Sequence, residues 1–230
     1  VPSRESELRV AIVGTYAPRR CGIATFSADI VAQLARYHPE IRPEIYTIDD
    51  SDLGLVYDES CRLIAAGDCE SYARAARKIN ESGVDAVWLQ HEFGIFGGPD
   101  GELVCDFVDR IAAPLVVTFH TVLTAPTDRQ RAIIDHLVIR ASRIMVMSQQ
   151  GRDLLASEYD ASPDRIQVIP HGAPDRPFGR EDELKARLNL PGRNVLMTFG
   201  LLGPGKGIEP RLPNDHHHVG RERAQTSNQH

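Results

Sequence analysis

Ala86-Val-Trp-Leu-Gln-His-Glu-Phe-Gly-Ile-Phe-Gly-Gly98 opens with a five-residue run of buried-strand character and breaks into polar and glycine residues. Leu103, Val104, Phe107, Val108 and Ile111 then recur at helical spacing within 101–111, and Leu115-Val-Val-Thr-Phe119 is another apolar strand, ending at His120-Thr121. This is a strand–helix–strand unit whose two strands carry polar residues at their carboxyl ends.

The same rhythm extends in both directions. Upstream, strands are predicted at 8–13, 43–48 and 62–66, with helices at 23–37 (Phe26, Ile30, Val31 and Leu34 on one stripe) and 71–82. Downstream, a helix at 128–141, a strand at 144–147, a helix at 150–159 and a strand at 166–169 follow. Short apolar strands alternating with 10–15-residue helices indicate a parallel sheet covered on both faces. The fold class is therefore α/β, a doubly wound parallel sheet over residues 8–170, with ligands expected at the carboxyl ends of the strands.

The pattern changes after Pro170. His171 to Gly179 is rich in proline and glycine and reads as a linker; with a short helix at 181–190 it fills 171–192. Val195-Leu-Met-Thr-Phe199 then reads as a strand opening into Gly200-Leu-Leu-Gly-Pro-Gly-Lys-Gly-Ile-Glu209. Such a turn is how a phosphate-binding α/β domain begins. Residues 193–209 are expected to start a second domain, truncated because only 210–230 follow. That tail has almost no apolar residues and is expected to be disordered.

Composition narrows the function. The 230 residues are 42% hydrophobic and 25% charged, as in a soluble globular protein, and the net charge of −6 comes without a basic run, which argues against nucleic acid as a partner. Cys21, Cys61, Cys69 and Cys105 are scattered without a Cys-x-x-Cys pair, which suits reduced thiols better than disulfides or zinc. No stretch is long and apolar enough to span a membrane and none resembles a signal peptide. A cytoplasmic location is the expectation.

Four segments could carry chemistry. In Gly14-Thr-Tyr-Ala-Pro-Arg-Arg-Cys-Gly-Ile23, Gly14 would free the chain to turn and Gly22 would let helix-start N–H groups face an anion, with Arg19 and Arg20 adding positive charge. The alternative is a long connection with two solvated arginines. His91 and Glu92 sit where ligands bind in this architecture and could hydrogen-bond a sugar or move protons, whereas a structural His91 would bond a backbone carbonyl. His120 repeats the position of His91 one unit later, so both could face one cleft, and His171 closes the last strand as a hinge or a plain turn residue. Gly200, Gly205 and Lys206 match Walker A spacing, but Gly207 stands where a magnesium-binding Ser or Thr is needed, which argues against a P-loop hydrolase. His216, His217 and His218 lie in a polar tail and read as solvated. A Rossmann oxidoreductase is disfavoured because the glycine fingerprint is missing; Asp49 and Asp50 end strand two but more plausibly cap a turn.

Taken together, Tyr16 to Phe26, Gln90 to Gly98, Thr118 to Thr121, Val168 to Gly172 and Phe199 to Glu209 resemble, in order, the motifs of glycosyltransferase family 4, of the GT-B fold. The resemblance covers residues 8–209. It implies two Rossmann-like domains facing a cleft, an N-terminal one holding the acceptor and a C-terminal one holding a nucleotide-sugar donor. The implied reaction is retaining transfer of a hexose to a glycan or lipid-linked acceptor, without catalytic metal or cofactor. By resemblance, Gly22 approaches the donor diphosphate or acceptor, His120 contacts the donor sugar near the reacting carbon, and Lys206 neutralises the leaving diphosphate. Leu201 stands where many members carry arginine, and the Glu-x7-Glu element is missing. The expectation is therefore a transferase impaired or inactive as this chain, with peripheral membrane contact at most. The alternative is a non-catalytic sugar- or acceptor-binding module, or half of a split transferase.

Overall fold

The structure, a computed structural model, describes residues 7–173 and 177–196. The chain divides into two units, Val1–Ala173 and Pro174–His230. The first is built on a seven-stranded sheet: β1 (Leu8–Gly14), β2 (Ile41–Asp49), β3 (Arg62–Ala65), β4 (Ala86–His91), β5 (Leu115–Phe119), β6 (Arg143–Val146) and β7 (Ile166–Val168). The spatial order is β3-β2-β1-β4-β5-β6-β7 and every pairing is parallel. Order reverses between β1 and β4, where an open α/β sheet forms its ligand crevice.

Helices cover both faces, as the apolar runs require. Val10, Ile12 and Ile45 point to one face, where Ile30, Val31 and Leu34 of α1 (Gly22–Tyr37) and the side chain of Trp88 pack on them. Ala11, Val13, Tyr46, Ile48, Val87, Leu89, Val117 and Ile144 form the main core on the other face. Helices α2 (Cys69–Ser82), α3 (Leu103–Asp109), α4 (Asp128–Arg140) and α5 (Gln149–Glu158) close it, contributing Ile79, Phe107, Leu137 and Leu155. Removing such fully buried side chains from water stabilises the fold by about 1.5–3 kcal/mol each.

The differences from the sequence reading have local causes. Helix α2 starts two residues early because Asp68 accepts from Glu70 N at 3.0 Å and caps it, and it ends at Gly83, whose φ of 67° suits glycine. Helix α3 is shorter than 101–111 because Pro99–Gly101 forms a separate 3₁₀ turn, with Gly101 at φ 83°. Strand β2 begins before Pro43. Since β3 pairs only with Tyr46–Asp49, Pro43 lies where β2 has β1 alone as neighbour, and its missing N–H leaves no ladder bond open on that side.

In the second unit, α6 (Glu181–Arg187) carries three acidic residues in its first turn and a Lys185–Glu181 ion pair at 2.5 Å. Of the expected strand Val195–Phe199, only Val195 and Leu196 are described; they are 49% and 103% exposed and lie in no strand. Met197 to His230, including the glycine-rich turn and Lys206, lies outside the described residues.

Candidate functional site

Strand ends deliver the candidate residues to one edge of the sheet. β1 runs out at Gly14, β4 at His91 and β5 at Phe119, and the register places His91 beside Phe119. The backbone continues this pairing, His120 N donating to His91 O at 3.0 Å. The regularity of parallel pairing thus sets the two histidines side by side.

Their environments differ sharply. His91 is 1% exposed and stands among Phe93, Phe96 and Phe119, with ring centroids 5.0, 6.0 and 5.3 Å away. Its Nδ1 is buried without a hydrogen-bond partner among the described residues. Burial, reinforced by His120, pushes its pKa down to about 3, so it is neutral at pH 7. A ligand does not reach this ring in the conformation described. His120 is half-buried and lines a cleft of about 200 Å³ with Phe119, Val122, Met147, Ser148 and Gly151. Burial, then His171, pushes its pKa down to about 4. Phe26 of α1 meets His120 edge-on at 5.0 Å and His171 at 5.4 Å, and the two histidine rings are 6.5 Å apart. His171, exposed at the end of the sheet, therefore joins the His120 cluster.

Glu92 caps the 3₁₀ turn Phe93–Ile95, its Oε1 accepting from Phe93 N at 3.0 Å, while Oε2 accepts from Thr121 Oγ1 at 2.5 Å. This carboxylate ties the turn after β4 to the turn after β5. Gln90 makes a second tie, its Oε1 lying 3.0 Å from His120 Nε2. Gln90 is fully buried, and its Nε2 has no partner among the described residues, an omission that costs about 1–3 kcal/mol. Gln90 opens the same segment as His91 and Glu92 in the sequence, and that place is the signal for its role.

In the loop after β1, Gly14 acts differently from expectation. Gly14 belongs to β1 and does not turn the chain. A Cβ there would lie 2.9 Å from Gln90 Cβ, so what the position requires is close approach. Gly22 opens α1, is exposed, and has open space where a side chain would be. Cys21 caps this helix, its Sγ accepting from Ala24 N at 3.4 Å. Arg19 is half-buried and Arg20 exposed in the same loop. Among the described residues, no three His, Cys, Asp or Glu side chains are grouped to hold a metal ion.

This is a doubly wound α/β unit with a polar cleft at the carboxyl ends of its central strands. Residues 62–175 match the model of Glycosyltransferase Family 4. The fold is that of solved GT-B glycosyltransferases. A glycosyltransferase from Rickettsia africae ESF-5 is similar with TM-score 0.55 and 14% identity, over 80% of this chain and 50% of that one. The lipopolysaccharide outer core galactosyltransferase WaaB, in its apo form, gives 0.51 and 11%, over 72% and 46%. An alpha-glucosyltransferase in complex with UDP-glucose and DNA containing an abasic site gives 0.51 and 16%, over 73% and 43%. This chain thus spans no more than half the length of these structures. No curated protein matches it. Residues 62–175 are thus similar to Glycosyltransferase Family 4, on a Rossmann-like fold shared with GT-B glycosyltransferases.

Proposed function

We propose that residues 8–170 form the acceptor-side wall of a retaining, metal-independent hexosyltransferase. The enzyme would use a nucleotide-sugar donor and a glycan or lipid-linked acceptor, in the cytoplasm or at its membrane surface. The match of residues 62–175 to the family model carries this reading, because that segment supplies the β4 and β5 ends with Glu92, His120 and Thr121. His120 is the residue for the donor sugar: it lines the cleft and is neutral at physiological pH, so it offers a hydrogen bond without a charge. Glu92 and Thr121 order the neighbouring turns. Gly22, Arg19 and Arg20 provide an anion-binding edge, and Lys206 is proposed to neutralise the leaving diphosphate. His91, closed in by phenylalanines, serves the same site by positioning these turns.

The 230 residues alone are expected to turn over little or no nucleotide-sugar, since they span half or less of the similar transferases. Calorimetric titration with UDP-glucose, together with a hydrolysis and transfer assay, tests this. Measurable turnover by the purified chain refutes the proposed inactivity. Donor binding that is lost in Lys206→Ala supports a working half of a split enzyme; binding of a glycan acceptor alone supports a non-catalytic module.

A further inference from the structure

Gln90 is a long polar side chain with no exposure, on a strand whose neighbours Val87 and Leu89 are core residues. Its stem is pressed against β1: a Cβ on Gly14 would come within 2.9 Å of Gln90 Cβ and 3.4 Å of its Cγ. The amide is therefore held where it is and has one partner, His120, at 3.0 Å. The carbonyl Oε1 faces the ring. A carbonyl only accepts, so the hydrogen bond exists only when His120 Nε2 carries the proton. In the neutral ring, Nδ1 then has a lone pair and no proton. No other protein group hydrogen-bonds this imidazole among the described residues, while Phe26 standing perpendicular at 5.0 Å restrains its plane.

We propose that Gln90 is a positioning residue that locks His120 in a single rotamer and in its Nε2–H tautomer, leaving Nδ1 to accept a hydrogen bond from a hydroxyl of the bound sugar. The sugar part of this rests on the function proposed above. The positioning part rests on the geometry alone. An aliphatic residue of the same volume would fill this buried place without an unpartnered amide, so packing does not explain the choice of glutamine. The buried stem also explains why the residue before His91 carries a long side chain: a shorter amide on the same backbone would fall short of His120.

The test is the imidazole nitrogen spectrum of the ¹⁵N-labelled 230-residue chain at pH 7, with free histidine in the same buffer as reference. The Nε2–H form of His120 is expected to exceed the reference ratio by about fivefold, the worth of one hydrogen bond. In Gln90→Met that excess is expected to vanish while the fold, followed by circular dichroism, persists. A wild-type His120 at the reference ratio, or one holding its proton on Nδ1, overturns the proposal, and this arm needs no variant. An unchanged ratio in folded Gln90→Met overturns it as well. UDP-glucose is then added to wild type. A shift at His120 Nδ1 that Gln90→Met abolishes supports the whole proposal. A locked tautomer with no response to UDP-glucose or to a glycan acceptor overturns the sugar-site reading and leaves the positioning role intact.

Discussion

Gly97→Ala is expected to destabilise the N-terminal unit more than any other single-methyl addition in the Phe93–Gly98 loop. A Cβ at Gly97 would lie 1.6 Å from Ala66 O and 2.6 Å from Ala66 C, so a methyl there sits roughly 2 Å inside contact distance of rigid backbone. The loop must lift away from the β3–α2 connection. Lifting breaks a relay in which Gly97 N donates to Tyr72 Oη at 3.0 Å and Tyr72 Oη donates to Ala66 O at 3.2 Å. Overpacking costs about 1–3 kcal/mol and each lost hydrogen bond about 1 kcal/mol. The expected loss is about 3–5 kcal/mol, or roughly 6–20 °C in Tm for a unit of this size. Urea denaturation followed by circular dichroism measures it. Gly94→Ala is the control: nothing lies within 4 Å of its added Cβ, and it should stay within about 0.5 kcal/mol of wild type. A Gly97→Ala chain as stable as the Gly94→Ala chain would refute the reasoning, and the loop would then be free of the β3–α2 connection.

Two further outcomes are expected. His91 and His120 are both held well below their ordinary pKa in the fold, so between about pH 6.5 and 3 the unfolded chain binds more protons and stability falls as pH falls. His91 accounts for about 3–5 kcal/mol across that window and His120, which faces the cleft, for less; His91→Phe, suited to its aromatic surroundings, should flatten the dependence, and a slope unchanged in that variant would count against it. Thr118→Val removes the acceptor of Trp88 Nε1–H, a 2.8 Å bond, and is expected to cost about 1–2 kcal/mol and to shift the emission of the chain's single tryptophan; unchanged emission and midpoint would show that the bond is not formed in solution.

The order of elements was legible because the central strands are largely buried on both faces and so are written as apolar runs, Val10 to Val13 in β1 or Leu115 to Val117 in β5. Helix ends were less legible. The Asp68 cap and the Gly101 turn depend on one side chain or one dihedral angle, which periodicity does not record. Val195-Leu196 shows the opposite failure: an apolar run reads as a strand, yet a strand also needs neighbours, and these two residues are exposed.

The candidate site was legible in position and illegible in division of labour. His91 and His120 occupy equivalent strand ends, and from sequence both point at one cleft. What separates them is the path of the chain just afterwards. After β4 the chain turns back through Phe93–Ile95 and lays Phe93 and Phe96 over His91. After β5 no such turn follows, and His120 is left facing the cleft with Phe26 at its edge. Aromatic residues two or five positions downstream of a histidine carry no sign of which way they will fold. Gln90 was hidden for a related reason, since β4 presents alternate residues to opposite faces and nothing in Ala86-Val-Trp-Leu-Gln90 says that the last of them reaches across to the next strand's end. It is the parallel register, Gln90 beside Thr118 and His91 beside Phe119, that turns a buried glutamine and a neighbouring strand's histidine into one hydrogen-bonded pair.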